Sequence, residues 1–163
     1  MGLLSFVREA GEKLFGRKDV EAAAADSGAA ERLADLNAKA AAAILAYIGT
    51  QGLDASALSV SFDGATSTVT ASGSVSDQAT KEKILLCCGN VQGVASVSDL
   101  MTVAQPADES QYHTVVKGDT LSAIAKKFYG NANLYPKIFE ANKPMLSNPD
   151  KIYPGQLLRI PPN

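Results

Sequence analysis

Residues 105–111 read Gln-Pro-Ala-Asp-Glu-Ser-Gln, and this polar break in the apolar pattern divides a chain of 163 residues into two blocks. Each block must bury a modest core of its own, so the chain is expected to hold two small domains rather than one large one. The hydrophobic fraction of 46% is that of a globular protein, and a net charge of -2 gives no footprint for wrapping nucleic acid. No apolar run is long enough to span a bilayer.

The opening residues, Met1-Gly2-Leu3-Leu4-Ser5-Phe6-Val7-Arg8-Glu9, carry no basic stretch ahead of a long apolar core, so no secretory signal is expected. Gly2 is followed by Phe6 where a myristoylation signal needs Ser or Thr. Leu3, Leu4, Val7, Ala10, Leu14 and Phe15 recur at helical spacing and predict an amphipathic helix over residues 3–15, stopped at Gly16. A helix this short must dock its apolar face on something. Residues 17–30 keep no apolar period and are read as a linker or a frayed helix.

From Glu31 the pattern Leu33, Leu36, Ala40, Ile44, Leu45, Ile48 predicts a helix ending at Gly49 or Gly52. Leu58, Val60 and Phe62 alternate with serines. After a turn at Asp63-Gly64, Val69, Ala71, Gly73 and Val75 alternate again, which predicts a hairpin with one buried face. Asp77 caps a second helix through Cys88, with Ala79, Ile84, Leu85 and Cys88 near one face, and Gly89 stops it. A third strand is expected over Val94–Val103. The order helix, strand, strand, helix, strand over residues 31–104, with the turn Gly89-Asn90-Val91-Gln92-Gly93-Val94, resembles a BON domain.

Past the linker, expected to let the halves rotate, Tyr112–Val116 predicts a strand and Gly118 a turn. Asp119 or Thr120 caps a helix whose Leu121, Ile124, Ala125 and Phe128 lie at i, i+3, i+4 and i+7. Gly130 ends it, and Asn133 is the expected cap of another helix with Pro136 in its first turn and Ile138 and Phe139 inward. Tyr153-Pro154-Gly155-Gln156 fits a type II turn, and Leu158–Ile160 can then pair with the first strand. The end motifs Tyr112-His113-Thr114-Val115-Val116-Lys117-Gly118-Asp119-Thr120-Leu121-Ser122 and Ile152-Tyr153-Pro154-Gly155-Gln156-Leu157-Leu158-Arg159-Ile160-Pro161 resemble a LysM domain over residues 112–163. The fold class is therefore α+β in two small domains, preceded by an N-terminal helix and linker over 1–30.

No catalytic constellation emerges. The adjacent Cys87 and Cys88 cannot close an unstrained disulfide and are expected as buried reduced thiols. His113, the only histidine, sits in a strand-like segment beside Tyr112, where a surface role is expected, and no zinc or iron ligand set can be assembled around it. An enzyme is not expected. In the LysM half the resemblance implies a shallow groove for glycan between Gly118–Leu121 and Asn148–Ile152, but the longer connection Lys143–Pro149 reshapes one wall, and use of the fold alone is expected over glycan binding.

The N-terminal run Gly-Leu-Leu-Ser-Phe-Val-Arg-Glu-Ala-Gly-Glu-Lys-Leu-Phe, the BON block, and a LysM block with Gly130-Asn131-Ala132-Asn133-Leu134-Tyr135 and Lys143-Pro144-Met145-Leu146 together resemble the family of cytoplasmic potassium-binding proteins built from these parts. The resemblance implies a monomeric cytoplasmic protein whose ligand is K+. It implies an ion held by backbone carbonyls of Val7, Ala10 and Glu12 from the N-terminal segment and of Gly89, Val91 and Val94 from the turn after the second BON helix. Carbonyl dipoles suit a large, weakly hydrated cation, and carbonyls at a helix end lack internal partners. The alternatives are a LysM protein that binds peptidoglycan and a BON adaptor that touches phospholipid; the N-terminus, read as unexported, counts against both.

Overall fold

The computed structural model describes Leu3–Ser5 and residues 30–163. A four-stranded sheet has the order β1-β4-β3-β2, from β1 (Leu3–Ser5), β2 (Leu58–Asp63), β3 (Thr68–Asp77) and β4 (Ser96–Gln105). β2 and β3 form the expected antiparallel hairpin, β3 and β4 run parallel, and β1 lies antiparallel on the outer edge of β4. Helices α1 (Ala30–Thr50) and α2 (Gln78–Gly89) supply the rest of this half, α2 being the crossover that a parallel β3–β4 pair requires.

The alternation read from the sequence reappears as burial. Leu58 and Phe62 on β2, Val69, Ala71 and Val75 on β3, and Val97 and Met101 on β4 face one core with Ala40, Ala41, Ile44 and Ile48 of α1 and Ile84, Leu85, Cys87 and Cys88 of α2. Ile44, Ile48 and Ile84 are wholly removed from solvent, and each such side chain contributes about 1.5–3 kcal/mol relative to exposure. Asp77 caps α2 as expected, its carboxylate accepting from the Thr80 amide at 2.8 Å. That bond holds the Asp77 carboxyl below its ordinary range.

Two boundaries differ from expectation. Leu3–Ser5 form a strand, not the first turn of a helix: Leu3, Leu4 and Ser5 pair with Ser98, Val97 and Ser96. An open β4 edge offers unpaired N–H and C=O groups that a short apolar run satisfies more directly than an isolated helix turn does. The remainder of the expected N-terminal helix lies outside the described residues. The third strand begins at Ser96 rather than Val94, because Ala95 and Ser96 first donate to the Ser67 carbonyl at the end of the hairpin loop.

The second half is built from β5 (Gln111–Thr114), α3 (Leu121–Tyr129), a 3-10 turn (Ala132–Leu134), α4 (Tyr135–Ala141) and β6 (Leu157–Ile160), with β5 and β6 antiparallel. Val115, Leu121, Ile124, Ala125, Ile138, Leu146, Leu158 and Ile160 form its core, and Phe128 and Phe139 pack against it. Thr120, not Asp119, caps α3 by accepting from Ala123 at 3.1 Å, and Gly130 closes it in the left-handed region. Asp119 instead accepts from the Val116 amide and from His113. His113 is thus a largely buried, paired residue with its ring edge-on to Phe128, not a surface one. Asn133 caps nothing: Asn131 accepts from the Asn133 amide and starts the 3-10 turn, and α4 begins two residues later with Pro136 in its first turn. The expected turn at Tyr153–Gln156 is present, with Gln156 donating to Tyr153 at 3.1 Å and Gly155 at φ +91°.

The halves meet along β6. All four of its residues are buried, so the strand is covered on both faces, Leu158 and Ile160 by its own core and Leu157 and Arg159 toward the first half. Glu82 of α2, 1% exposed, accepts from Gln78 Nε2 (2.9 Å), the Ser110 amide (2.9 Å), Ser110 Oγ (2.6 Å) and the Arg159 guanidinium. Burial opposes the charge on Glu82, and the bonds from Ser110, Gln78 and Arg159 outweigh it, holding its carboxyl below the ordinary range. Ser110 belongs to the segment expected to be a free hinge, and here it is tied down.

Two substitutions test this framework. Gly73 sits at φ +118° and a Cβ there would lie 2.1 Å from the Ala57 carbonyl oxygen, so Gly73→Ala is expected to cost about 3 kcal/mol in denaturant unfolding through strain and overpacking combined. Glu82→Ala leaves a buried guanidinium unpaired and is expected to cost about 3–5 kcal/mol, while Glu82→Leu with Arg159→Met recovers only the part due to that guanidinium, since the buried Ser110 and Gln78 donors still lack their acceptor. Because the folded carboxyl titrates lower than the unfolded one, the Glu82 contribution is present above the ordinary glutamate range and disappears as pH falls through the depressed folded value. Urea titrations from neutral to acid pH should show that loss in the parent and not in the Leu/Met double variant.

Candidate functional site

The turn between α2 and β4 carries the three sequence-predicted site residues that the structure describes. Gly89 is the last residue of α2, where carbonyls run out of intrahelical donors. Asn90 ends the helix, its amide donating back to Leu86 at 2.9 Å. Val91 and Val94 are both 0% exposed, and Gly93 between them, at φ +98°, provides the left-handed step that reverses the chain. Val94 donates to the Val91 carbonyl at 3.2 Å, which leaves that oxygen one further lone pair. The turn is fixed at its entry by the helix cap and at its exit by the two bonds from Ala95 and Ser96 to Ser67.

Val7, Ala10 and Glu12 lie outside the described residues. Ser5 pairs with Ser96 and Leu3 with Ser98, so an antiparallel β1 runs toward the exit of the turn, and its last residue stands opposite the second residue after Val94.

The donor chemistry of the turn is uniform. Gly89-Asn90-Val91-Gln92-Gly93-Val94-Ala95 contains no ionisable side chain, and among the described residues no three His, Cys, Asp or Glu side chains cluster in a way that could hold a metal ion. What the turn offers a cation is neutral carbonyl oxygen at the negative end of a helix dipole, an arrangement suited to a monovalent ion and ill matched to calcium or zinc. Cys87 and Cys88, just upstream, are free and buried; burial pushes the Cys87 thiol up to about 12 and Cys88 up as well, so both stay protonated at neutral pH.

A second concavity lies in the other half. Asp119–Ser122 face Pro149, Asp150 and Ile152 across a hollow, with the half-exposed ring of Tyr135 at its side. This is the groove expected from the sequence, with Tyr135 added, a residue that spacing alone had not marked.

Comparison with known proteins agrees with this layout. The family model described as BON domain matches residues 33–105, and the model described as LysM domain matches residues 113–161. The Escherichia coli protein named potassium binding protein Kbp is 49% identical over 162 residues, covering 99% of both chains. The chain belongs to the Kbp family. Shorter stretches are shared with other proteins: 82 residues at 44% identity with a Deinococcus radiodurans protein, covering 44% of this chain and 32% of that one, and 48 residues at 52% identity with an esterase of Mycobacterium tuberculosis, covering 29% and 10%. Neither BON nor LysM is an enzyme family, and among the described residues no helix is long and apolar enough to cross a membrane.

Sequence reasoning missed the groups that join this turn to the second half. Asn90 donates from Nδ2 to the Leu157 carbonyl and accepts at Oδ1 from the Leu157 amide, both at 3.0 Å. Within the second half Asn142 does the same for Arg159, at 2.8 Å each way. Cys87 Sγ lies 3.3 Å from Met145 Sδ across the same junction. The available signal was Glu82, a charge four residues after Gln78 on a face that continues into Leu85 and Gly89; a carboxylate in a buried stripe requires donors from elsewhere in the chain.

Proposed function

We propose that this chain is an intracellular potassium-binding protein, a sensor or buffer, holding K+ through the backbone carbonyls of Val7, Ala10 and Glu12 on one side and of Gly89, Val91 and Val94 on the other. The observation that carries the reading is the register of β1, whose last residue, Ser5, pairs with Ser96 at the exit of a buried, uncharged turn at a helix C-terminus. The near full-length likeness to the Escherichia coli potassium binding protein supports the same ion.

Six neutral carbonyls replace a potassium hydration shell without the dense negative charge that would favour a divalent ion. The two groups of donors come from segments distant in sequence, so an ion between them pins the N-terminal segment to the BON half. Binding orders the N-terminal segment against the BON half and compacts the chain, the LysM half being already held to α2 by Glu82, Ser110 and Arg159. A ligand held only by the ordered form stabilises it by RT ln(1 + [L]/Kd), about 2.7 kcal/mol at ~100 times Kd.

The expected result is a higher melting temperature and a measurable binding heat in KCl than in NaCl at equal ionic strength. Identical curves in the two salts would sink the proposal. Removal of residues 1–14 separates the two groups of ligands: loss of potassium affinity with both domains still folded is expected, and unaltered affinity would strike Val7, Ala10 and Glu12 from the site.

A further inference from the structure

The Asn90 carboxamide makes two hydrogen bonds to one residue of the other half, and those bonds sit between two of the proposed ligands. Its backbone joins Gly89 to Val91. Its side chain takes both polar groups of Leu157, which lie on the edge of β6 that faces away from β5. Residues of an antiparallel strand alternate in the edge they present, and here Leu157 and Arg159 share the outer one. Asn142 closes that edge at Arg159 from within the second half, and Asn90 closes it at Leu157 from the first. In effect the turn after α2 serves as a one-residue neighbouring strand for β6.

We propose that Asn90 is a positioning residue for the carbonyls of Gly89 and Val91, and that the outer edge of β6 is thereby a structural wall of the ion site although it donates no ligand. This deepens the potassium reading and rests on it. The reasoning is geometric. A helix C-terminus frays, and the orientation of its last peptide planes is set by whatever fixes the cap residue. Asn90 is fixed at its amide by Leu86 and at its side chain by a backbone that cannot yield without breaking its own sheet. Val91 and Val94 are held by burial in the first core, whereas Gly89 has no side chain to anchor it and depends on its neighbour. A carbonyl cage that discriminates ions by the number and field of its dipoles loses discrimination when its planes can rotate. The coupling is reciprocal: whatever Asn90 gives the ion, the ion returns to the docking of β6.

The test uses the full chain and potassium and sodium chloride as probes. Asn90→Ala is expected to weaken potassium binding about tenfold, the worth of two neutral hydrogen bonds, and to lower the potassium-to-sodium preference. Thr120→Ala, which removes only the α3 cap, is the control for general loosening and is expected to bind potassium within about twofold of the parent. Parental affinity and selectivity in Asn90→Ala would overturn the proposal, as would an equal loss in the control. A parent chain that itself shows no preference for potassium over sodium would overturn the ion reading first and this one with it, an outcome visible before any variant is made.

Discussion

A carboxylate that is 1% exposed survives as a charge only where donors surround it, and Glu82 gathers them from three parts of the chain. Gln78 comes from its own helix, Ser110 from the segment between the domains, and Arg159 from β6. Removing any one leaves a buried group without compensation, so the arrangement specifies a single docking of the two halves. It does so without adding much net stability, since burying an ion pair costs about what its attraction returns. Much of the rest follows from it. With β6 laid against α2, Asn90 can reach Leu157, Cys87 can reach Met145, and the turn after α2 becomes part of the junction rather than a solvent loop.

That junction changes what the LysM fold does here. A two-stranded sheet exposes two edges and is marginal alone. In this chain β6 is covered on both faces and bonded on both edges, by β5 on one side and by two asparagine side chains on the other. The groove lined by Asp119, Thr120 and Asp150 lies elsewhere on the domain and takes no part. The same fold thus carries an open groove on one side and a surface committed to the first half on the other. Fold alone does not decide which is used.

The local structure was legible in the sequence because each element announces its period and its punctuation. Leu58, Val60 and Phe62 could only be a strand, Thr120 or Asp119 had to cap the helix that begins at Leu121, and Tyr153–Gln156 had the residues of its turn. The family likeness was legible for the same reason, since its motifs are these elements in this order. Failures came where a partner distant in sequence decides. Leu3–Ser5 has helical spacing, yet the bare edge of β4 takes it as a strand. His113 looked like an exposed strand residue until Asp119 and Phe128 closed on it. Asn90 reads as an ordinary helix-ending residue, and nothing about Leu157 in sequence says that its backbone needs a partner.

The placement of the turn also bears on why neutral carbonyls, rather than side chains, are suited to respond to an abundant monovalent ion. A site of carboxylates is strong because its charges are strong, and it keeps its ion, or another of like charge, over a wide range of concentration. Carbonyl dipoles give a weaker field, so the free energy of ordering the ligands is a large part of the total and the geometry of the frame decides occupancy. Here Gly89, Val91 and Val94 sit on a turn fixed by a helix cap, by Ser67 and by the edge of β6, and β1 ends opposite its exit. If the proposed ion is held there, the cost of ordering its remaining ligands sets the concentration at which it binds.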